Sequence, residues 1–533
     1  MKRTLAILLA LVMAVTMFAA CQTEKPVETK PKETQGTNKP AETKPAETEP
    51  AEKGPLFAEP ITFEVVGRDK DTNDAAMLAR IKEYTNVDLN WRRMDSFDEQ
   101  YALLVSDNKI PDISIISGNY FANEYGPQGA YVNVYEYLDI MPNLAKMLEE
   151  YPAVKKSYQL NDNEMYRIPY FKINGANTYA GWVYRKDIFE AQGLKWPTNR
   201  EEFESVLRAL KAAYPDSYPL AVPSTVNTHM TNIVDTSHWF GTSLTFPGRN
   251  NAYCDYNYET ETWYQGATSP EMKEMLQWYK SMIDEGLMFP SLAASGNDML
   301  AQMYTDNVFI YFAKLSNLAT YNSTGRATNP NFTCVMGSPF AIGSKGVDGG
   351  RVVGNGGSYN FAVSTACHDV EAALKFIDWF YSEEGIHVTN MGTEGVEYTL
   401  DADGKVVWNA EALASGNPQS AQGLAISCLC PVIDNTPYLT WQDEAYNESF
   451  AAVEPYATSK ANPSIKQYNE EQQAIVDTYG ASYTTYVKGE LTKFLLGERD
   501  FAEWDAYVKE ANETYHGEEL VKCAQDAWDV QPK

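Results

Sequence analysis

The chain has 533 residues, with 43 Lys and Arg against 72 Asp and Glu, a formal net charge of -29. A field of that sign repels nucleic acid and anionic polymers and so excludes them as partners. Aromatic residues make up 13% of the chain, including 35 Tyr and 11 Trp, whereas only 5 His are present, at positions 229, 238, 368, 387 and 516, too scattered for a local metal-binding motif.

At the N-terminus, Lys2 and Arg3 precede an apolar run from Leu5 to Phe18 that ends in Ala19, Ala20 and Cys21. This is the order of a signal peptide, residues 1–20, and the run is shorter than the roughly 20 apolar residues needed to span a bilayer. The small-small-Cys ending resembles the bacterial lipobox, which implies that Cys21 is lipidated and becomes the mature N-terminus. Residues 21–59 are rich in Lys, Pro, Glu and Thr, with KPAETKPAETEPAEK as an imperfect repeat. Such a composition builds no core; it favours extended polyproline II structure at about 3.1 Å per residue and reads as a disordered stalk.

The remaining body is large enough for two lobes. Ile61 to Val66 reads as a strand ending at Gly67, Asp74 to Tyr84 as a helix, Val87 to Trp91 as a strand, Phe97 to Leu104 as a helix and Ile113 to Ile116 as a strand broken by Ser117-Gly118-Asn119. Strand, helix, strand is the pattern of a parallel α/β unit, and ligands sit at the carboxyl ends of its strands. Arg68 and Asn119 are therefore candidate cleft residues, although a plain turn uses the same residue types.

Five segments then carry a resemblance. IKEYTNVDLNW with LLVSDNKIPDI, GWVYRKDIFEAQGLKWPTNREEFESVLRALK, IDEGLMFP, AALKFIDWFYSEEG, and NMGTEGVEYTLDADGKVVW recur in this order over most of the body. Together they resemble bacterial family 1 extracellular solute-binding proteins, especially long lipoprotein members serving carbohydrate ABC importers and akin to alginate-oligosaccharide-binding proteins. The resemblance implies a type II periplasmic-binding fold, two α/β lobes joined by hinge strands with a ligand cleft between them. It assigns 60–179 and 337–399 to a first lobe, and 180–336 and 400–533 to a second with C-terminal helices. It also implies an extracytoplasmic monomer, held to the outer face of the membrane only by its lipid, that passes a solute to ABC permease subunits.

The ligand is argued from residue types. Sugars present apolar C–H faces and polar edges, so flat rings beside polar side chains suit them, which points to an oligosaccharide. Trp182, Trp239, Trp263, Tyr359 and Trp441 lie outside helical core stripes and are candidate platforms, with core or hinge packing as the competing role for each. Trp182 stands where the resembled family crosses between lobes. His238, Trp239 and Phe240 cluster before Gly241, and Tyr359 ends the glycine-rich Asn355-Gly356-Gly357-Ser358 run, where backbone can approach a ligand. Glu394 beside Gly395 completes the set, with structural hydrogen bonding as its alternative. Trp278, Trp379, Trp504 and Trp528 fall in helical patterns and read as core. Arg185 and Asp187 read as a local structural pair.

No catalytic motif is present: no G-x-S-x-G, H-E-x-x-H, C-x-x-C, P-loop or G-x-G-x-x-G. A non-enzyme without cofactor or metal is expected; the alternatives are a glycoside hydrolase using paired carboxylates and a glycan-binding surface lipoprotein of helical-repeat fold. Calcium is not expected either. Relatives of the resembled type carry an acidic glycine-rich loop after the PTNREEF-type helix, whereas here LKAAYPDSYPLAV offers only Asp216, and Asp401-Ala402-Asp403-Gly404 reads as a strand-joining turn. The six cysteines beyond Cys21 read mostly as buried thiols.

Overall fold

The structure is a computed structural model and describes residues 54–531 apart from 68–74, 95–96, 108, 117–119, 175–178, 223–232, 243, 245–253, 258, 290–295, 347–359, 427 and 457–464. The first compact element is the parallel set β1 (Ile61–Gly67), β2 (Val87–Arg93) and β3 (Ile113–Ile116), with β1 between the other two. The helix Ala75–Thr85 provides the crossover from β1 to β2 and buries Met77 and Ile81. All five elements expected in this stretch form, with ends displaced by two residues or fewer. The folded body begins earlier than residue 60. Leu56 and Phe57 donate backbone hydrogen bonds to Tyr84 and Thr85, and Phe57 packs on the core, so the stalk composition stops short of these two apolar residues.

After β4 (Phe171–Ile173) the chain leaves this core and enters a second one. Here β5 (Ala180–Arg185) and β6 (Leu220–Ala221) precede a separate hairpin, β7 (Asp255–Asn257) with β8 (Thr262–Tyr264). They are followed by β9 (Ile310–Lys314) and β10 (Cys334–Met336), giving a second sheet of order β10-β5-β9-β6. Its helices include Arg200–Ala213 and Pro270–Asp284, whose apolar faces bury Phe203, Leu207, Met275 and Trp278.

The chain then returns. β11 (Asn360–Val363) adds antiparallel to β3 and completes the first sheet, order β11-β3-β1-β2. β12 (Tyr398–Leu400) and β13 (Val406–Trp408) form a hairpin across Asp401 to Gly404, as the Asp-Gly turn suggests. β14 (Val432–Asp434) pairs in parallel with β4. A third passage leads to the helix Glu444–Val453, which packs on β10 with Met336 N–H donating to Ser449 Oγ at 2.8 Å.

Two segments show which core each adjoins. Cys428, Leu429 and Val432 pack in the first core, and β14 pairs with β4 in a separate two-stranded sheet, so the segment around β14 belongs with that core. Conversely Phe340 and Ile342 pack in the second core, where Ile342 N–H donates to the Trp239 carbonyl. The passages at β4 and β14 are tied side by side: Asn435 N–H and Nδ2 both donate to the Ile173 carbonyl, each at 3.1 Å. The 27-residue helix Glu470–Leu496, closed at its start by an Asn469–Gln472 capping box, and the helix Gly517–Val530 cover the second core.

Candidate functional site

In the first sheet the register fixes which strand ends share an edge. Gly67 pairs with Ile115, and Asn360 with Ile116, so the carboxyl ends of β1 and β3 and the start of β11 meet at one edge. Gly67 is required there, since a Cβ would lie 2.7 Å from the Trp91 indole. Arg68, Asn119 and Tyr359 adjoin this edge in sequence but lie outside the described residues, as does Cys21.

In the second lobe a cavity of about 970 Å³ opens between the β7–β8 hairpin, the start of the helix Pro270–Asp284 and the helix Gly517–Val530. That helix runs 15 residues from Pro270, about 22 Å at 1.5 Å per residue, before Met288 meets Leu220 at the start of β6. The cavity's volume is at the upper end of the roughly 300–1,000 Å³ range of ligand pockets.

Three aromatic residues, Tyr256, Trp263 and Tyr264, line it. The hairpin presents them because Tyr256 pairs directly with Trp263, their rings meeting edge to face at 5.4 Å, and Trp263 is backed by Trp528 at 5.9 Å. The Trp263 backbone N–H donates to Gln525 Oε1 at 2.8 Å, tying the strand to the C-terminal helix. Tyr264 shares a hydrogen bond with Thr242 Oγ1, and burial pushes its phenol well above the usual range, so it stays a neutral hydroxyl.

Opposite stand Glu271 and Lys345, an ion pair. Burial pushes the Glu271 carboxyl up, but Lys345 and the Ser269 hydroxyl outweigh it and hold the group below the ordinary range, a fixed carboxylate. Gly241 makes room for Lys345: its φ is +72° and a Cβ would lie 2.7 Å from the Lys345 backbone. Rings, carboxylates and amide side chains such as Asn257 and Asn512 suit a ligand with apolar faces and hydroxyl edges.

The candidate platforms separate in this structure. Trp263 is in the cavity wall but only 6% exposed, so it offers little ring surface to a solute in this conformation. Trp182 and Trp239 are fully buried and pack on each other at 6.1 Å and on Phe312 at 5.4 and 6.0 Å, so they present no face to a solute in this conformation. Trp182 occupies the core because it alternates with Tyr184 on the face of β5 covered by Phe203 and Trp196. Trp441 is half-buried just after the third passage; its ring rests on Tyr438, and its Nε1 is 3.4 Å from Gln419 Oε1. Glu394 is exposed at a turn, while Glu397 carries the local bonds, to Arg80 at 2.9 Å and to the Thr393 N–H at 2.7 Å.

Sequence reasoning missed Tyr256, Tyr264, Glu271 and Lys345. The short Tyr-x-x-x-x-x-x-Trp-Tyr hairpin alternation was the available signal for the aromatics. The Glu271–Lys345 contact joins residues 74 positions apart and left none.

A family described as bacterial extracellular solute-binding protein matches residues 70–386. The fructooligosaccharide ABC transporter substrate-binding protein FusA of Streptococcus pneumoniae is 28% identical over 159 residues, 28% of this chain and 29% of that protein, so the match spans under a third of the relative's length. Among solved structures, alginate-binding protein AlgQ2 without calcium ion superposes with a TM-score of 0.67 at 20% identity, over 90% of this chain and 100% of that one. An extracellular solute-binding protein from Bifidobacterium longum subsp. infantis gives 0.66 at 17% identity, over 88% and 98%. FusA in complex with kestose gives 0.62 at 18% identity, over 88% and 99%. At these identities the structural likeness speaks to the fold.

Proposed function

Because the chain belongs to the bacterial extracellular solute-binding proteins, we propose that it captures an oligosaccharide outside the cytoplasm and delivers it to the permease of an ABC importer without turning it over. The observation that carries the ligand class is the second-lobe cavity, in which Trp263, Tyr256 and Tyr264 share the wall with Glu271 and Asn257. FusA, named for fructooligosaccharide, supports the same class. Each ring–sugar stack contributes about 1 kcal/mol for roughly 50 Å² of covered surface. Micromolar binding needs about -8 kcal/mol, so several stacks and hydrogen bonds must act together.

The moving bodies in this reading are 54–173 with 360–434, and 180–346 with 436–531, the paired passages at β4 and β14 serving as hinge. The cavity is lined by the second body alone and supplies one half of the binding surface in this reading; ligand that also touches the first body shifts the population toward a closed form that the permease recognises. The test is titration of residues 54–533 with neutral and acidic oligosaccharides, amino acids and peptides, followed by calorimetry and thermal shift. Stoichiometric binding of an oligosaccharide without product formation is expected, and Trp263→Ala should weaken it at least tenfold. Turnover, or a shift by peptides alone, overturns the reading.

Lipid anchoring through Cys21 is part of the same proposal, supported by the Lys2-Arg3, apolar, Ala-Ala-Cys order. Cys21→Ala should move the full-length protein from the membrane fraction to the medium or leave its leader uncleaved. Membrane retention with normal cleavage contradicts it.

A further inference from the structure

At the end of the first sheet remote from its ligand edge, three potential metal ligands converge. Asp112 immediately precedes β3, and Cys367 and His368 follow β11; because the two strands are antiparallel with Val363 opposite Ile113, the start of one meets the end of the other. His368 Nδ1 lies 3.1 Å from Asp112 Oδ1, and the ligand atoms of Asp112, Cys367 and His368 all lie within 4.8 Å of one another.

The constellation is held from several sides. Asp112 Oδ2 accepts the Glu64 N–H at 2.9 Å and Oδ1 the His368 N–H at 3.1 Å, which fixes the carboxylate plane. The His368 ring rests on Phe63 with centroids 5.3 Å apart. Cys367 Sγ is hydrogen-bonded to Asp112, and Cys367 is half-buried where the other five described cysteines are buried. The imidazole is 54% exposed, which leaves an approach from solvent.

We propose that Asp112, Cys367 and His368 bind a borderline-soft divalent cation of the zinc class, with water completing the coordination. Tetrahedral zinc sites use bonds of about 2.0–2.2 Å to N and O and about 2.3 Å to S, so neighbouring N and O ligands sit about 3.3 Å apart. The His368–Asp112 separation already matches. On binding, Cys367 loses its thiol proton to solvent, and His368 turns the Nδ1 lone pair to the metal, its remaining proton on Nε2. Thiolate and carboxylate then balance the two positive charges. The thiolate and imidazole select this class over calcium or magnesium, which prefer oxygen. The sequence expectation of no metal cluster rested on scattered histidines, and a site from Asp112 and His368 is formed only by strand pairing.

The test uses metal-free residues 54–533 with all six thiols reduced, titrated with Co²⁺ as spectroscopic probe and then Zn²⁺. One equivalent of Co²⁺ should produce a thiolate-to-metal charge-transfer band that Zn²⁺ bleaches. Cys367→Ser should abolish the band, and His368→Ala should weaken binding at least tenfold, both with melting temperatures near wild type because serine is nearly the size of cysteine and the His368 side chain is more than half exposed. Asp112→Asn is avoided, since that carboxylate also holds two backbone N–H groups. Absence of the band, or a band retained in Cys367→Ser, overturns the assignment; binding that survives both substitutions without a band means surface carboxylates only, and also overturns it.

Discussion

Arg185 shows how much one buried charge depends on complete pairing. Its guanidinium has no exposed surface, donates through Nε and Nη2 to the Asp187 carboxylate at 2.8 and 2.7 Å, and donates through Nη1 to Asp306 at 2.7 Å and the Met303 carbonyl at 2.6 Å. The Phe332 ring closes the remaining side at 4.2 Å. The local pair with Asp187 is legible from spacing, whereas Met303 and Asp306 come from the end of the distant helix Gly296–Tyr304 and the turn after it. Removing one partner of a buried pair strands the other charge, so Arg185→Ala is expected to lower unfolding free energy by about 3–5 kcal/mol. Urea denaturation measures it; a loss under about 1 kcal/mol would mean that solvent already screens the pair. The same scale explains Trp182 and Trp239. Polar neighbours in sequence suggest a cleft, but strand alternation and helix packing decide which way an indole points.

At the scale of an element, the turn after the helix Arg200–Ala213 is closed by its own side chains. Ser217 N–H and Oγ both donate to the Tyr214 carbonyl, and the Lys211 ammonium donates to the Ser217 carbonyl at 2.7 Å. A lysine cation already occupies the oxygen that a calcium ion would need, and Asp216 alone supplies too little charge. In the other acidic turn, Asp401 Oδ1 accepts the N–H groups of Asp403 and Lys405 at 2.9 and 2.8 Å, the bonds of a tight hairpin. Adding calcium to metal-free protein should therefore leave the melting temperature unchanged. A rise of several degrees, which ligand linkage would require of a native-state site, would refute this and point to oxygens gathered from distant segments.

Across the whole molecule, carboxylates held by partners set the response to acid. Burial pushes Glu490 up, but Lys493 and Arg499, at 2.7 and 2.6 Å, outweigh it and leave its affinity for protons lowered. Burial likewise opposes Glu204, and its bonds to Arg200, Arg208 and the Trp278 indole prevail. For a group whose folded pKa is depressed, the stabilisation is complete above the unfolded value of about 4.3 and is lost as pH falls through the folded value. Relief of repulsion among 72 acidic residues acts in the opposite sense. At 0.15 M salt it is screened beyond about 8 Å, so the contact pairs dominate. Unfolding free energy should hold nearly level from pH 7 to about 5 and fall below about 4.5, with Glu490→Gln flattening the fall; urea denaturation across pH reads it, and a rise on acidification would show that repulsion wins.

Local sequence encodes the secondary structure of the first parallel unit, because β1, β2 and β3 and the helix between β1 and β2 follow local hydrophobic periods. It determined the helical core positions of Trp278, Trp379 and Trp504, all buried, whereas Trp528, read the same way, is half-buried behind Trp263; ordered motifs spread over most of the body were enough for the family. Tertiary structure alone decided the rest. That the segment around β14 joins the first core rests on the pairing of β14 with β4, which no local pattern encodes. The cavity beside Trp263 exists because a hairpin, a helix start and a C-terminal helix meet, and Asp112 reaches His368 across 256 positions of chain. Such sites depend on which strands pair and in what register, and these choices minimise exposed apolar surface and unpaired backbone groups over the whole chain rather than within any window of it.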